Sequence, residues 1–356
     1  MSQPPAPLAS LLPAPIHPVI LCGGGGTRLW PRSRSERPKP FLPLLGNQTL
    51  FQQALARCAD RSIFAEPIVV TGIEHVALVE HQSATGAETT LIVEPVARNT
   101  AAAIALAAAR LPADAVMLVC PSDHHIADAI AFHKAAVAAA RLASEGWLVS
   151  LAVTPDRPET GYGYIKQGAS LPGGFAVERF VEKPPLAEAE RYLDEGGYAW
   201  NAGIFAFRAA TLLEELALHR PALAEGIARA VAAGRSAGTR FHPAAEPLAE
   251  IAAEAIDRAV MENTRRAAMV PAAMGWSDIG NWASLSDALP ADDAGNRAVG
   301  DVELVECAGV LALSDGPRIS VVGLEDVCVG VDGNDVLVTS RAAAQQVGQL
   351  RGARGQ

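Results

Sequence analysis

His17-Pro18-Val19-Ile20-Leu21-Cys22-Gly23-Gly24-Gly25-Gly26-Thr27-Arg28-Leu29-Trp30-Pro31 runs from a short apolar stretch straight into four consecutive glycines, and Lys39 follows eight residues later. The apolar run predicts a strand, Pro18–Cys22, that opens into a loop. Glycine lets that loop turn sharply and approach a ligand closely. Successive backbone N–H groups in such a turn form an anion-binding concavity. Arg28 and Lys39 add fixed positive charge, so the stretch reads as a cradle for a polyphosphate. It is neither of two familiar phosphate loops. No Lys-Ser or Lys-Thr follows the glycines, and a G-x-G-x-x-G template meets Arg28 or Leu29 where its third glycine belongs. A plain surface turn is the alternative, but four glycines are entropically costly for a turn alone.

Working outward, strands are expected at Ile68–Thr71, Thr90–Glu94, Ala115–Cys120 and Leu148–Val153. Helices are expected between them at Leu50–Asp60, Ile73–His81, Thr100–Arg110 and Ile130–Glu145. That alternation implies βαβ units and a mostly parallel sheet. After Val153 the rhythm changes. Strands at Tyr162–Lys166, Ala176–Val181, Ile204–Arg208 and Ala268–Pro271, with helices at Leu186–Glu195 and over Ala210–Asn263, would extend the sheet into a mixed one. From Gly300, short strands recur at Val302–Val305, Val310–Leu313, Ile319–Val322, Val327–Val331 and Val336–Thr339, before a closing helix at Arg341–Leu350. Such spacing suggests a small β domain, a coil of a β-helix. The expected domains are a disordered tail over 1–16, a catalytic domain over 17–290 and a C-terminal β domain over 291–356.

Bulk properties narrow the classes. A chain of 356 residues with 50% hydrophobic residues can bury a large α/β core, and its net charge of −10 without a basic patch argues against nucleic acid. Five dispersed cysteines without a C-x-x-C pair read as reduced and intracellular. The Pro/Ala-rich start lacks the basic and continuous apolar regions of a signal peptide. No apolar run reaches transmembrane length, so neither a membrane nor a secretory route is expected.

Other segments carry candidate chemistry. Asp123, in Val119-Cys120-Pro121-Ser122-Asp123-His124-His125, follows a buried strand, where ligands of open α/β sheets bind. It suits a metal-ligating carboxylate; capping the next helix is the even alternative. The adjacent His124 and His125 have no suitably spaced partners and read as structural. Asp278, in Gly275-Trp276-Ser277-Asp278-Ile279-Gly280-Asn281-Trp282, could meet Asp123 as a second carboxylate; alone it would be a turn residue. Pro158-Glu159-Thr160-Gly161-Tyr162-Gly163-Tyr164 sets glycines beside aromatics, as a flat or hydroxylated ligand needs, or as a hairpin turn does. Glu182 could accept from sugar hydroxyls and Lys183 could hold a phosphate, against a solvated strand end. Asn201 offers an amide that both donates and accepts, in what otherwise reads as a loop.

In this order the segments resemble the nucleotidyltransferases that make nucleoside-diphosphate sugars, and among them the mannose-1-phosphate guanylyltransferases. The matching pieces are Leu21–Pro31 with Pro38-Lys39, Glu94-Pro95 with Arg98–Ala101, Pro121–His124, Pro158–Tyr164, Phe180–Pro184, Trp200–Gly203 and Gly275–Trp282. They span roughly residues 17–340, most of the chain. The resemblance implies a doubly wound, Rossmann-like α/β core with a partial left-handed β-helix behind it. It implies transfer of GMP from GTP to mannose 1-phosphate, with Mg²⁺ as cofactor, in a cytoplasmic homodimer. Leu21, Gly23, Gly24, Gly26, Thr27 and Arg28 would bind the nucleotide, with Glu94, Arg98 and Asn99 near guanine and ribose. Lys39 would neutralise charge near the α-phosphate, and Asp123 and Asp278 would bind the metal. Gly163, Glu182 and Asn201 would surround the mannose, and Lys183 would meet its phosphate. Arg32 departs from the family, which usually has Leu there. Long family members append a sugar-isomerase domain, which is not expected here. The alternatives are another sugar or base, or a non-catalytic nucleotide-sugar sensor.

Overall fold

The computed structural model describes Leu8 and residues 12–24, 26–83 and 89–354. Gly25 and most of the expected tail lie outside these. By packing, the chain divides into two units, both discontinuous in sequence. The first comprises the chain up to Gly23, Ala54–Ser122 and Ile126–Trp276; the second comprises Gly24–Gln53, Asp123–His125 and Ser277–Gln356. The sequence reading places its boundary at 290/291 instead, in one step along the chain.

The first unit contains β1 (His17–Cys22), β2 (Ile68–Gly72), β3 (Thr90–Glu94), β4 (Val116–Pro121), then β5 (His125–Ile126) at a junction, β6 (Leu148–Val153), β7 (Gly163–Leu171), β8 (Gly174–Glu182), β9 (Tyr198–Arg208), β10 (Arg235–Ala237), β11 (Arg240–His242) and β12 (Ala267–Pro271). The two-residue β5 apart, these form one mixed sheet of eleven strands in the order β10-β11-β3-β2-β1-β4-β9-β6-β12-β8-β7. β1 pairs in parallel with both β2 and β4, so the winding reverses between β1 and β4. That is the switch point at which loops diverge and ligands bind in open α/β sheets. Ser122 N donates to Leu21 O at 3.0 Å and ties the two strand ends together.

The helices of this unit follow the expected pattern. α1 (Leu50–Arg57, its first four residues in the second unit), α2 (Val76–Ser83), α3 (Asn99–Ala108) and α4 (Ala129–Ser144) fall between the early strands, and α5 (Leu186–Glu195), the successive α6 (Ala209–His219) and α7 (Pro221–Ala232), and α8 (Ala245–Glu250) between the later ones. Ala101 to Ala108 of α3 are all buried, since alanine lets a helix lie close to a sheet. Asp128 caps α4, accepting from Ala131 N at 2.9 Å. Three local readings are corrected. Tyr198–Gly203 is not a loop but the first half of the eleven-residue β9. The strands β10 and β11, only three residues each, extend the edge beyond β3 and carry no alternation long enough to read. Ile16 is buried and bonded to Ile63 and Ala65, so order begins ahead of His17.

In the second unit, β13 (Trp276–Ser277) at the junction leads to α9 (Trp282–Ala288) and a run of short strands. β14 (Arg297–Val299), β16 (Leu311–Ser314) and β18 (Val327–Asp332) stack in parallel in one sheet, and β15 (Val302–Val305) and β17 (Ile319–Val322) in another. The chain alternates between the two sheets strand by strand, which is the winding of a β-helix. β19 (Asp335–Ser340) closes the coil antiparallel to β18. The interior holds Val310, Ala312, Ile319, Val321, Val329 and Val331. The expected closing helix is a 3₁₀ helix over Arg341–Gln349 followed by α10 (Arg351–Arg354).

Asp332 ends β18 almost buried, with 8% of its side chain exposed. Arg37 reaches it at 2.6 Å, Arg32 at 3.4 Å and Arg34 at 3.8 Å. Arg32, the departure from the family pattern, therefore has a partner. Removing the acid strands nearby guanidinium charge, and breaking a largely buried pair is costly. Asp332→Ala is expected to lose about 3 kcal/mol of stability in urea unfolding. Arg61→Ala, which breaks an exposed pair with Glu66, should lose less than about 1 kcal/mol.

Candidate active site

In the second unit the phosphate loop continues from Gly24 (φ 90°) through Gly26 (φ 63°) into a 3₁₀ turn over Thr27–Leu29. Gly26 is required twice. Its backbone is left-handed, and a Cβ there would collide with the Cβ of Lys39. Nothing lies within 4 Å of where a Cβ would sit on Gly23 or Gly24, so this part of the loop borders open space. Arg28 Nη1 donates to Gln345 Oε1 at 2.7 Å, which steadies the guanidinium next to the loop.

Lys39 is only 5% exposed, so its ammonium needs compensation. It donates to Asp123 Oδ2 at 2.7 Å and to the backbone carbonyl of Asp278. Burial alone would push the Asp123 carboxyl up. The Lys39 charge and hydrogen bond, with His124, outweigh that and hold it below its ordinary value. The loop carrying Asp278 is fixed by the start of α9. Asn281 Oδ1 accepts from Ala283 N and Ser284 N, while Ser284 Oγ accepts from Asn281 N at 3.0 Å, a complete capping box. Asp278 Oδ1 accepts from Gly280 N at 3.0 Å. Thus Arg28, Lys39, Asp123 and Asp278 belong to one unit. His125 Nδ1 stands 3.4 Å from Gln53 Oε1, consistent with a structural histidine.

The donor chemistry suits a hard divalent cation in part. Among the described residues no group of three or more His, Cys, Asp or Glu could hold a metal unaided. Two carboxylates completed by substrate phosphates and water are nevertheless the usual oxygen set for Mg²⁺. Asp123 and Asp278 are residues of that type, and Lys39 Nζ donates to the carboxylate of the first and to the backbone carbonyl of the second.

In the first unit two further groups form. Glu94 ends β3, and its Oε1 is buried with no hydrogen-bond partner among the described residues. Burial, and then the nearby Glu74, push its carboxyl up to about 7. A buried acceptor without a donor is costly unless a ligand supplies one. Arg98 is committed elsewhere: it donates to the carbonyls of Leu248 at 2.9 Å and Ala249 at 2.6 Å. Asn99 is left-handed (φ 65°) and its Oδ1 accepts from Thr100 N at 2.7 Å.

The second group surrounds Asn201. β9 bulges against β6: Ser150 faces Phe205, but Ala152 faces Asn201. Gly203 (φ 66°) makes the bulge, as an isolated glycine in a strand signals. The bulge turns Asn201 so that its Oδ1 accepts from Ser150 Oγ at 2.7 Å and Gly203 N at 3.0 Å. Its Nδ2 donates to Asp257 Oδ1 at 2.8 Å. Lys183 (φ 52°) donates to Glu182 Oε1 at 2.5 Å. A Cβ on Gly163 would stand 2.7 Å from Glu182 Oε2 and 3.3 Å from Asn201 Cβ. Tyr162, Trp200 and Trp276 pack edge to face beside this group. The structure thus brings together Gly163, Glu182, Lys183 and Asn201. It adds Asp257, which sequence reasoning missed. Its segment, with Glu254, Arg258 and Glu262 close by, reads as an ordinary charged helix face.

A glycine turn and Arg28, in the unit that also holds a buried lysine and two aspartates, make a set suited to phosphate esters. The chain belongs to the nucleotidyl transferase family, matched over residues 17–294, and is a nucleotidyltransferase. It is 44% identical over 341 residues to the xanthan biosynthesis protein XanB of Xanthomonas campestris pv. campestris, covering 94% of this chain and 72% of that one. It is 39% identical to a mannose-1-phosphate guanylyltransferase of Klebsiella pneumoniae, covering 93% and 72%. A crystal structure from Thermus thermophilus, described as a mannose-1-phosphate geranyltransferase, superposes with a TM-score of 0.84 at 34% identity, covering 94% of this chain and 97% of that one.

Lys39→Met leaves the Asp123 carboxylate without its cation. It should cost about 2–3 kcal/mol in urea unfolding, less than for a fully buried pair because 29% of the Asp123 side chain is exposed. The double variant Lys39→Met/Asp123→Asn should recover much of that loss, a coupling that a double-mutant cycle measures.

Proposed function

We propose that this enzyme transfers GMP from GTP to α-D-mannose 1-phosphate, forming GDP-mannose and pyrophosphate. The observation that carries the reading is the buried Lys39 ammonium, set beside Asp123 and Asp278 on the unit that bears the glycine turn and Arg28. Names of relatives in the same family support the sugar and the base.

The sugar phosphate is the nucleophile, and its oxygen attacks the α-phosphorus of GTP in line with the departing pyrophosphate. That oxygen is already anionic, so no general base is needed. The obstacle is the approach of two anions, and catalysis is then positioning plus charge neutralisation. The N–H groups around Gly24 and Gly26 and the Arg28 guanidinium hold the triphosphate. Lys39 supplies positive charge near the α-phosphate, and Lys183 meets the phosphate of the sugar. Asp123 and Asp278 would hold a Mg²⁺ ion, which would supply further neutralisation of the phosphate oxygens. Glu182 and Asn201 orient the mannose, while the unpartnered Glu94 carboxylate takes the donor edge of guanine.

The reading is tested by pyrophosphate release from a panel of nucleoside triphosphates and sugar 1-phosphates with Mg²⁺. GTP with mannose 1-phosphate should give the highest kcat/KM, and a clear preference for another pair would overturn it. Asp278→Ala should nearly abolish turnover with the fold intact, and normal turnover at ordinary Mg²⁺ would remove Asp278 from the metal site. Lys39→Ala should lower kcat by about 10²-fold or more.

The Glu94 assignment carries a pH signature. Guanine donors favour the ionised carboxylate, so binding lowers the Glu94 value and releases a proton. GTP affinity should therefore rise with pH as Glu94 ionises around 7. The rise from pH 6 to pH 8 should be about tenfold. Glu94→Gln should flatten that profile in a calorimetric titration.

A further inference from the structure

Asp257 lies at the start of a π-helical turn, Asp257–Met261, whose Ala259, Val260 and Met261 are buried. π-Turns often occur at functional positions. Its Oδ1 accepts from Asn201 Nδ2 at 2.8 Å. Burial, and then the nearby Glu182 carboxylate, raise its carboxyl to about 6. A second acid placed next to Glu182 is a poor choice for merely holding an asparagine, since a neutral acceptor would do that without the repulsion.

The accounting at Asn201 shows what the acid adds. An amide oxygen has two lone pairs, and both are taken, by Ser150 Oγ and Gly203 N. Asn201 therefore faces a ligand as a donor only, with one N–H already given to Asp257. A ring hydroxyl that accepts from Asn201 must still place its own proton. Glu182 Oε1 is engaged by Lys183, so part of its capacity is spent. A carboxylate offers about four acceptor sites, and Asn201 takes one of those on Asp257.

We propose that Asp257 is a specificity-determining residue of the sugar subsite, accepting the proton of a ring hydroxyl that in turn accepts from Asn201. The amide and the carboxylate then read one hydroxyl as both acceptor and donor. A site built to bond a hydroxyl rejects the analogue that lacks it, because its polar groups are left unpaired. This inference rests on the sugar-phosphate reading above.

The test compares kcat/KM for mannose 1-phosphate and its 2-, 3-, 4- and 6-deoxy analogues in the wild type, Asp257→Asn and Ser150→Ala. Asp257→Asn keeps the size of the side chain and removes the charge. The wild type should show a penalty of about ten- to a hundredfold for the one analogue that lacks the hydroxyl read by Asp257. In Asp257→Asn that penalty should fall to about threefold or less, the other penalties and the KM for GTP being unchanged. Ser150→Ala, which loosens Asn201 from its other side, should leave the selective penalty in place. Equal loss for every analogue in Asp257→Asn overturns the proposal, as does the same selective loss in Ser150→Ala, which would mean that Asp257 acts only through Asn201. If the wild type prefers another hexose 1-phosphate, the same comparison runs on its deoxy analogues. A wild type that consumes no hexose 1-phosphate overturns the functional reading and this inference together. Unaltered penalties in Asp257→Asn overturn this inference alone.

Discussion

A lysine ammonium that is almost entirely buried cannot stand alone, and at Lys39 this demand organises the glycine turn and the loops that carry Asp123 and Asp278. Its compensation comes from a carboxylate 84 residues away and from a carbonyl 239 residues away. Three remote segments must therefore converge for the ion to be tolerated at all. The same convergence presents the Gly26 turn, whose missing side chain leaves room for the lysine stem. A substrate triphosphate would enter a field already arranged around one positive charge. Because charges are held in place before the reaction, none of the neutralisation has to be reorganised during it.

The cluster around Asn201 is organised by a different constraint, the saturation of a single amide. The bulge in β9 aims Asn201 at Ser150 and Gly203, and both lone pairs of its oxygen are consumed there. What remains is a donor of fixed direction, with carboxylates beside it at Glu182 and Asp257. A polar cluster of this kind is rigid because each member is held by the others. Rigidity of that sort suits the discrimination of hydroxyl positions.

Much of the fold was legible in the chain. The strands Thr90–Glu94, Leu148–Val153, Val302–Val305 and Ile319–Val322 and the helix Leu186–Glu195 stand where hydrophobic periodicity puts them. Periodicity works there because each element buries one face or both. It fails for β10 and β11, three residues each, because so short a segment has no period to detect. It fails at Tyr198–Gly203 because the glycine and the polar amide imitate a loop, while pairing with β6 and β7 makes the segment a strand. The spacing of the later short strands pointed to a β coil, and parallel pairing of alternate strands bears that out.

By itself the sequence determined the strand–helix alternation, the glycine turn and the kinds of side chain that follow the ends of the strands. These follow from local rules: glycine at a left-handed turn, alternation along a strand, an acid after a strand end. Only the tertiary structure decided that Lys39 pairs with Asp123, that Arg98 is spent on two backbone carbonyls and that Asp257 joins the sugar cluster. Those pairings depend on which distant segments lie side by side. A charge or an amide is satisfied by whatever polar atom stands within hydrogen-bond reach, and no local pattern along the chain records that distance.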